Sequence, residues 1–248
     1  LLLEMGCKID RKFYYMHVED DLPDDLLKEY ELAIKKRAEH IPLQYIVGET
    51  EFMGLKFKVN SNVLIPRQDT ETLVEEALKT VKPGMKVLDM CTGSGCIIIS
   101  ILHNVEGVKG YAVDISKQAV NVAKENAKLN EVPVLFERSD LFEMVTEKFD
   151  VIVSNPPYIP TDVIPQLMPE VQVFEPIEAL DGKEDGLYFY RKIVEQSKDY
   201  LNSGGSLMFE IGYDQGKDVS KMMTDAGFSN VCVKKDLAGN DRVVTGML

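Results

Sequence analysis

The sequence predicts an α/β fold: a seven-stranded, doubly wound sheet ending in an antiparallel hairpin, preceded by a small N-terminal helical domain and a β-hairpin connector. Three observations predict it. From residue 67 onward, short β-branched runs alternate with helical patterns, as parallel strands joined by crossover helices do. The final two strand patterns, NVCVKK and RVVTGM, are separated only by DLAGND, which leaves no room for a crossover helix, so they pair as a hairpin. Before residue 67 the pattern is different, first helical and then a series of short alternating runs punctuated by glycine.

The elements follow in order. Residues 1–43 form the helical domain. Within it residues 11–40 read as helical, and Pro23-Asp24-Asp25 opens a segment with Leu26, Leu27, Tyr30, Ala33, Ile34 and Arg37 at helical spacing. Acids crowd its start and bases its end, matching the helix dipole, and Pro42 breaks it. Residues 44–66, QYIVGETEFMGLKFKVNSNVLIP, read as the hairpin connector, with Gly48 and Gly54 as turns. Residues 67–248 form the sheet domain, opening with a helix that carries Leu73, Val74, Ala77 and Leu78. Strands are expected at 86–90, 110–115, 133–139, 149–154, 206–211, 230–235 and 242–247, and helices near 95–104, 116–129, 185–201 and 215–226. Residues 156–184 remain as a long segment of the kind that often serves as a lid, and it is expected to close over a substrate.

Composition narrows the function. A hydrophobic share of 45% over 248 residues supports a real core. No apolar run approaches the ~20 residues that span a bilayer, so no membrane association is expected. The chain opens Leu1-Leu2-Leu3-Glu4 without a basic flank or a small-residue cleavage site, so it reads as a fragment lacking its true start and not as a signal peptide. A net charge of −13 argues against direct binding to nucleic acid through its phosphates. Cys7, Cys91, Cys96 and Cys232 are scattered with no CxxC pair, which fits reduced, cytoplasmic usage. The three histidines stand apart, and no metal site is expected.

The first strand of the sheet runs into VLDMCTGSGCIIIS. Gly93 and Gly95 sit where strand turns into helix, which lets backbone approach a ligand closely. The third glycine of a dinucleotide fingerprint is absent, and so is the Lys-Ser/Thr of a nucleoside triphosphate loop. A Rossmann-like sheet of seven strands with a terminal antiparallel hairpin points instead to S-adenosylmethionine-dependent methyltransferases. Asp89 precedes the loop. Asp114 ends the second strand, where a carboxylate can grip a ribose diol. Asp140 leaves the third strand, where an acid can meet an adenine amine while Leu141 packs on the ring; a simple turn residue is the alternative.

The fourth strand, FDVIVS, ends in Asn155-Pro156-Pro157-Tyr158. Prolines have no N–H to extend a ladder, and they hold the preceding residue extended. Asn155 is therefore delivered stiffly to the carboxyl end of the sheet, where a ligand crevice lies. A planar amide or aryl amine has a delocalised lone pair and is a poor nucleophile. Asn155 and a neighbouring carbonyl can accept its N–H bonds, aim the nitrogen and stabilise the positive charge that builds on it. Pro156 offers acceptor character only, and Tyr158 offers a π-face.

At these residues the chain resembles the protein-(glutamine-N5) methyltransferases that act on bacterial peptide chain release factors. QYIVGETEFMGLKFKV, VLIPRQDTETLVE, DMCTGSGCI, NPPY, EPIEALDGKEDGL and DLAGNDRVV carry the resemblance over nearly the whole chain. It implies that the substrate is the glutamine of a Gly-Gly-Gln motif in a class 1 release factor, docked with help from the N-terminal domain and the hairpin. It implies that Asn155, Pro156, Pro157 and Tyr158 hold the glutamine amide, with Asn155, Pro156 and Tyr158 as the catalytic set. Cys91, Thr92, Gly93, Ser94, Gly95, Asp114, Ile115, Asp140, Leu141 and Asn155 would hold S-adenosylmethionine. Arg67, Thr70 and Glu71 would border the cofactor or substrate pocket. Gln68 stands where the family has Pro; a first-turn Pro only stiffens a helix entry, so activity should survive. The N-terminal domain is shorter than the family's bundle. A monomer is expected.

Three functions compete on these residues. A DNA or RNA adenine N6-methyltransferase shares NPPY, but it must extrude its base and normally carries a basic recognition region. Another protein glutamine methyltransferase would look the same at the site. A non-enzymatic binding module would have a degenerate loop, whereas Gly93, Gly95, Asp114 and Asn155 are all intact.

Overall fold

The computed structural model describes residues 2–6 and 9–248 of the chain; Leu1, Cys7 and Lys8 lie outside them. After a π-helical turn at Leu2–Gly6 comes α1 (Arg11–Met16), capped by the Asp10 carboxylate, which accepts the Phe13 N–H at 2.7 Å. Then comes α2 (Asp24–Ala38). The helical segment expected over 11–40 is thus two helices. Residues 17–23 are non-helical and end at Pro23, whose extended backbone starts α2. A further correction falls in the connector. Gln44–Val47 reads as extended in sequence but lies within α3 (Leu43–Val47), one turn led in by Pro42 and closed by left-handed Gly48. The hairpin itself is β1 (Glu49–Phe52) and β2 (Leu55–Lys58), turning at Met53-Gly54, both with positive φ as a two-residue hairpin requires. Phe52 and Phe57 project from one face of it, edge to face, into the core.

The remaining elements alternate: α4 (Glu71–Thr80), β3 (Lys86–Met90), α5 (Cys96–Asn104), β4 (Lys109–Asp114), α6 (Lys117–Leu129), β5 (Val134–Arg138), β6 (Phe149–Ser154), α7 (Pro169–Gln172), α8 (Tyr188–Tyr200), β7 (Leu201–Glu210), α9 (Gly216–Asp225), β8 (Ser229–Lys235) and β9 (Asp241–Met247). The sheet order is β5-β4-β3-β6-β7-β9-β8. The pairs from β5 to β7 are parallel, and β9 pairs antiparallel with both β7 and β8, which is the predicted hairpin. One strand begins earlier than its sequence suggests. β7 starts at Leu201, and its Asn202–Gly205 stretch bulges out of register opposite Phe149–Val151, so glycines that read as a turn lie inside a strand.

Alternation along the central strands divides the core into two layers. Val87, Val151, Val153 and Met208 face α4, α5 and the hairpin, whereas Leu88, Ile152, Leu207 and Phe209 face α8 and α9. Burial on both faces is why these strands read as near-continuous apolar runs.

The connector is fastened to the sheet domain by a polar clasp. Asn126 of α6 is fully buried; its Oδ1 accepts the Lys58 N–H at 2.7 Å, while its Nδ2 donates to Lys58 O at 3.1 Å and to Ser94 O at 2.9 Å. One side chain thereby satisfies both main-chain groups at the end of β2 and a carbonyl of the glycine loop. Replacing Asn126 with Leu keeps the volume and strands those groups. The expected loss is about 2–4 kcal/mol of unfolding free energy, measurable by urea denaturation; a loss below ~0.5 kcal/mol, the scale of an ordinary surface substitution, would show that the clasp does not hold the connector.

Candidate active site

The chain leaving β3 coils sharply. Cys91, Gly93 and Gly95 all take positive φ, at 62°, 56° and 81°. The two glycines serve different ends. Around Gly93 a Cβ would meet nothing within 4 Å, so its freedom is conformational, whereas at Gly95 it would come within 3.0 Å of Ile99 Cδ1 and 3.1 Å of Ala123 Cβ. Gly95 therefore lets α5 pack on α6. Cys91, Thr92, Gly93 and Ser94 line a cavity of about 340 Å³ at the carboxyl ends of the parallel strands, and Gly95 is outside its wall. Behind the loop Asp89 is fully buried and accepts the Thr92 hydroxyl at 2.6 Å; burial pushes its carboxyl up to about 7.

Asp114 closes the next strand. Its Oδ2 accepts the Gly93 N–H and its Oδ1 the Ser116 N–H, both at 2.9 Å. Burial raises its pKa and these two bonds oppose the rise. An ionised carboxylate has about four acceptor positions, so capacity remains for a donor pair in the cavity. Ile115, Asp140 and Leu141 line the same cavity. Leu141 takes φ 47°, in a turn held by Ser139, whose Oγ donates to Leu141 O and accepts the Met144 N–H.

β6 supplies the opposite wall. Ser154 Oγ donates to Met90 O at 2.6 Å and clamps β6 to β3 where both strands end. Asn155 and Pro157 then face the cavity. The Asn155 Nδ2 lies 3.4 Å from Thr70 Oγ1, so the amide nitrogen is directed at Thr70. Pro156 and Tyr158 do not reach the cavity wall. Tyr158 packs with the α8 and α9 core layer, and burial raises its hydroxyl pKa. Arg67 and Thr70 line the cavity, but Glu71 does not: its carboxylate accepts the Met53 N–H at 2.8 Å and props the hairpin turn.

The segment after NPPY is knitted down. Ile159 N–H donates to Leu180 O, Gly182 N–H to Ile159 O and Thr161 N–H to Lys183 O, at 2.8–3.0 Å. A Cβ on Gly182 would sit 2.7 Å from Tyr158 Cα, and one on Gly186 would collide with Tyr158 O, so both positions admit only glycine against the NPPY backbone. Gln215 finishes the seam, its Nε2 donating to Tyr158 O at 3.0 Å. Two ion pairs anchor the segment elsewhere: Arg67 Nη2 to both oxygens of Glu175, at 2.7 and 2.6 Å, and Arg37 of α2 to Glu170 at 2.7 Å. Glu175 is almost wholly buried while Arg67 is half-exposed.

Sequence reading missed several contributors. Asn62–Leu64, Pro66, Tyr188 and Phe189 form part of the cavity wall, and no local pattern marks them. Glu210 stands beside Asn155 at the end of the neighbouring strand and is buried. It was legible in principle, because SLMFEI ends a buried strand in an acid just as GYAVD does. Among the described residues no helix is long and apolar enough to cross a membrane, and no group of three His, Cys, Asp or Glu side chains could hold a metal ion.

Comparison with known proteins adds the following. The family model for the methyltransferase small domain matches residues 67–167, and that for the PrmC N-terminal domain matches residues 1–48. The release factor glutamine methyltransferase of Clostridium acetobutylicum is 45% identical over 251 residues, covering 98% of this chain and 88% of the relative. That of Geobacter sulfurreducens is 42% identical over 248 residues, covering 100% and 87%. Among solved structures a methyltransferase from Pyrococcus furiosus superposes with a TM-score of 0.59 at 18% identity, over 89% of this chain and 97% of that one, a likeness of fold.

Replacing Glu175 with Ala leaves Arg67 without its partner and should loosen the segment over the cavity. Limited proteolysis is expected to cut between residues 160 and 184 several-fold faster than in the unaltered protein. Equal cutting rates would mean that the ion pair does not hold the segment closed.

Proposed function

We infer the chemistry of the cavity from one premise: the chain belongs to the family of release factor glutamine methyltransferases. It is an enzyme that methylates the side-chain amide of a glutamine in a peptide chain release factor. The finer reading is ours. The substrate is the glutamine of the Gly-Gly-Gln motif in a class 1 factor, and the methyl donor is S-adenosylmethionine. When bound, that donor supplies an electrophilic methyl on a sulfonium.

The cavity suits such a donor. Asp114 retains acceptor capacity for a ribose diol, Gly93 leaves open space beside the main chain, and Asp140 with Leu141 and Ile115 offers an acid and apolar faces for a nucleobase. Thr92 and Ser94 carry hydroxyls on the same wall.

The observation that supports the mechanism best is the setting of Asn155. Its Nδ2 is turned to Thr70, so its Oδ1 is the end left to accept from the substrate. Accepting one glutamine N–H fixes the direction of the amide nitrogen and aims it at the methyl group. It also stabilises positive charge as the nitrogen is alkylated. Pro156, without an N–H, puts no competing donor beside it. No general base is required, because the proton leaves after methyl transfer. In this reading Tyr158 acts from behind, holding the main chain of Asn155 and Pro157 through its packing and its carbonyl bond to Gln215. α1 exposes Phe13, Tyr14, Tyr15 and Met16, an apolar surface that suits docking of the protein substrate.

The test is transfer of labelled methyl to a purified release factor, to its Gln→Ala variant and to a DNA duplex. Label in the unaltered factor alone is expected, and Asn155→Ala should lower turnover by roughly 10²–10³-fold. Label in DNA with none in the factor would overturn the reading. Asp114→Ala should weaken S-adenosylmethionine binding by about 10–100-fold, the worth of charge-assisted bonds to a diol, by calorimetry; unchanged affinity would remove Asp114 from the donor site.

A further inference from the structure

Glu210 is the last residue of β7 and is 2% exposed. Parallel pairing of β7 with β6 sets Phe209 beside Ser154, so Glu210 comes next to Asn155 where the two strands end, and it is not part of the cavity wall. The Thr70 hydroxyl and the Asn155 side-chain amide, 3.4 Å from each other, both lie close enough to lower its pKa. Its Oε2 finds no partner among the described residues. The charge of Arg242 acts on it, but that guanidinium is already bonded to Asp236, to Asp69 and to Ile211 O. Tyr190 Oη donates to Glu210 O at 2.9 Å and fixes the backbone beneath it. A carboxylate this deeply buried, short of donors and directed at a site residue has a cost that needs a function.

We propose that Glu210 is a positioning residue whose carboxylate sets which end of the Asn155 amide faces the reacting nitrogen. The reading of Asn155 as the substrate's acceptor underlies this. An asparagine side chain is nearly symmetric in shape, so packing alone does not choose between its oxygen and its nitrogen. Glu210 chooses. An ionised carboxylate only accepts, so it draws the Asn155 Nδ2 hydrogens towards itself and towards Thr70. The reversed amide would set Oδ1 against a carboxylate and aim Nδ2 at the substrate's own N–H groups, donor against donor. Oδ1 is thereby left to the cavity before any substrate arrives, which is preorganisation of the acceptor.

The protonation state of Glu210 then matters. Burial pushes its pKa up to about 7, against the nearby Thr70 hydroxyl and the charge of Arg242. A protonated carboxyl can donate to Oδ1 and so tolerates the reversed amide. The groups that face it are Arg242 of β9, with its partners Asp69 and Asp236, Tyr158, Tyr190 of α8 and Cys96 of α5. Burial holds the two phenols and the thiol protonated well above neutrality.

The test uses full-length protein, S-adenosylmethionine and release factor. Glu210→Gln keeps the shape but can either donate or accept. It should lower kcat about tenfold, leaving the KM for the factor and the cofactor Kd within about twofold, because it acts on the orientation of the acceptor and not on binding. Wild-type kcat should rise through a pKa near 7 and level off above it. That limb should be absent in Glu210→Gln. In 15N-labelled wild-type protein, the Asn155 side-chain NH2 signals, identified by their loss in Asn155→Ala, should shift with the same midpoint. This measurement needs no folded Glu210 variant. Asn155→Ala inactive beside Glu210→Gln at wild-type kcat, or Asn155 signals that stay still between about pH 5.5 and 8.5, would overturn the role of Glu210 alone. Asn155→Ala with wild-type turnover would overturn the acceptor reading and Glu210 with it.

Discussion

The structure depends on one topological constraint, the reversal of strand order around β3. After β3 the chain builds outward through β4 and β5, then returns to the other flank of β3 as β6 and continues the opposite way. Connections leaving β3 and β6 must diverge, and a parallel sheet cannot close the gap between them. The glycine loop and Asn155 follow the carboxyl ends of the two strands that border that gap, and Asp114 ends β4, the next strand along. The Ser154–Met90 bond pins the two central strands together at the lip, so the gap has a fixed width at its base. Burial of these strands on both faces makes that base rigid.

The rest of the cavity comes from parts of the chain far away in sequence, and polar bonds bring them in. Asn126 ties the hairpin connector to the glycine loop, so the wall built by Asn62–Leu64 and Pro66 is registered to the loop beneath it. Arg67 reaches 108 residues along the chain to Glu175, and Arg37 reaches 133 residues to Glu170. The segment after NPPY is therefore tied to the residue that follows the connector and to α2 by carboxylate–guanidinium pairs. Such contacts are weaker than a packed core and more responsive to a partner's charge.

What the sequence revealed follows from which forces are local. Short continuous apolar runs and the missing crossover between NVCVKK and RVVTGM disclosed the sheet, because burial on two faces and chain length act within a strand. The acids after strands and the NPPY turn disclosed four sides of the site, because strand ends in a parallel sheet share one edge. Close approach was not legible. Gly182 and Gly186 look like ordinary loop glycines until Tyr158 is seen lying against them. Nor did the one-turn helix at Leu43–Val47 announce itself, since the β-prone Tyr45, Ile46 and Val47 before Gly48 fit a strand equally well. Glu71 misled for the opposite reason. It belongs to a segment that borders the cavity, but its side chain points to the hairpin.

Cys91 remains. It holds a left-handed backbone at the cavity wall, and its side chain packs against the core layer that α8 and α9 cover. A thiolate there would outcompete any carboxamide for the methyl group. Burial, reinforced by the negative charge of Asp114 and then of Asp89, drives the thiol pKa far above its ordinary value, so the proton stays on. Burial does most of this, and the two carboxylates add to it, so the glycine loop that opens the cavity carries a nucleophile held in its unreactive form.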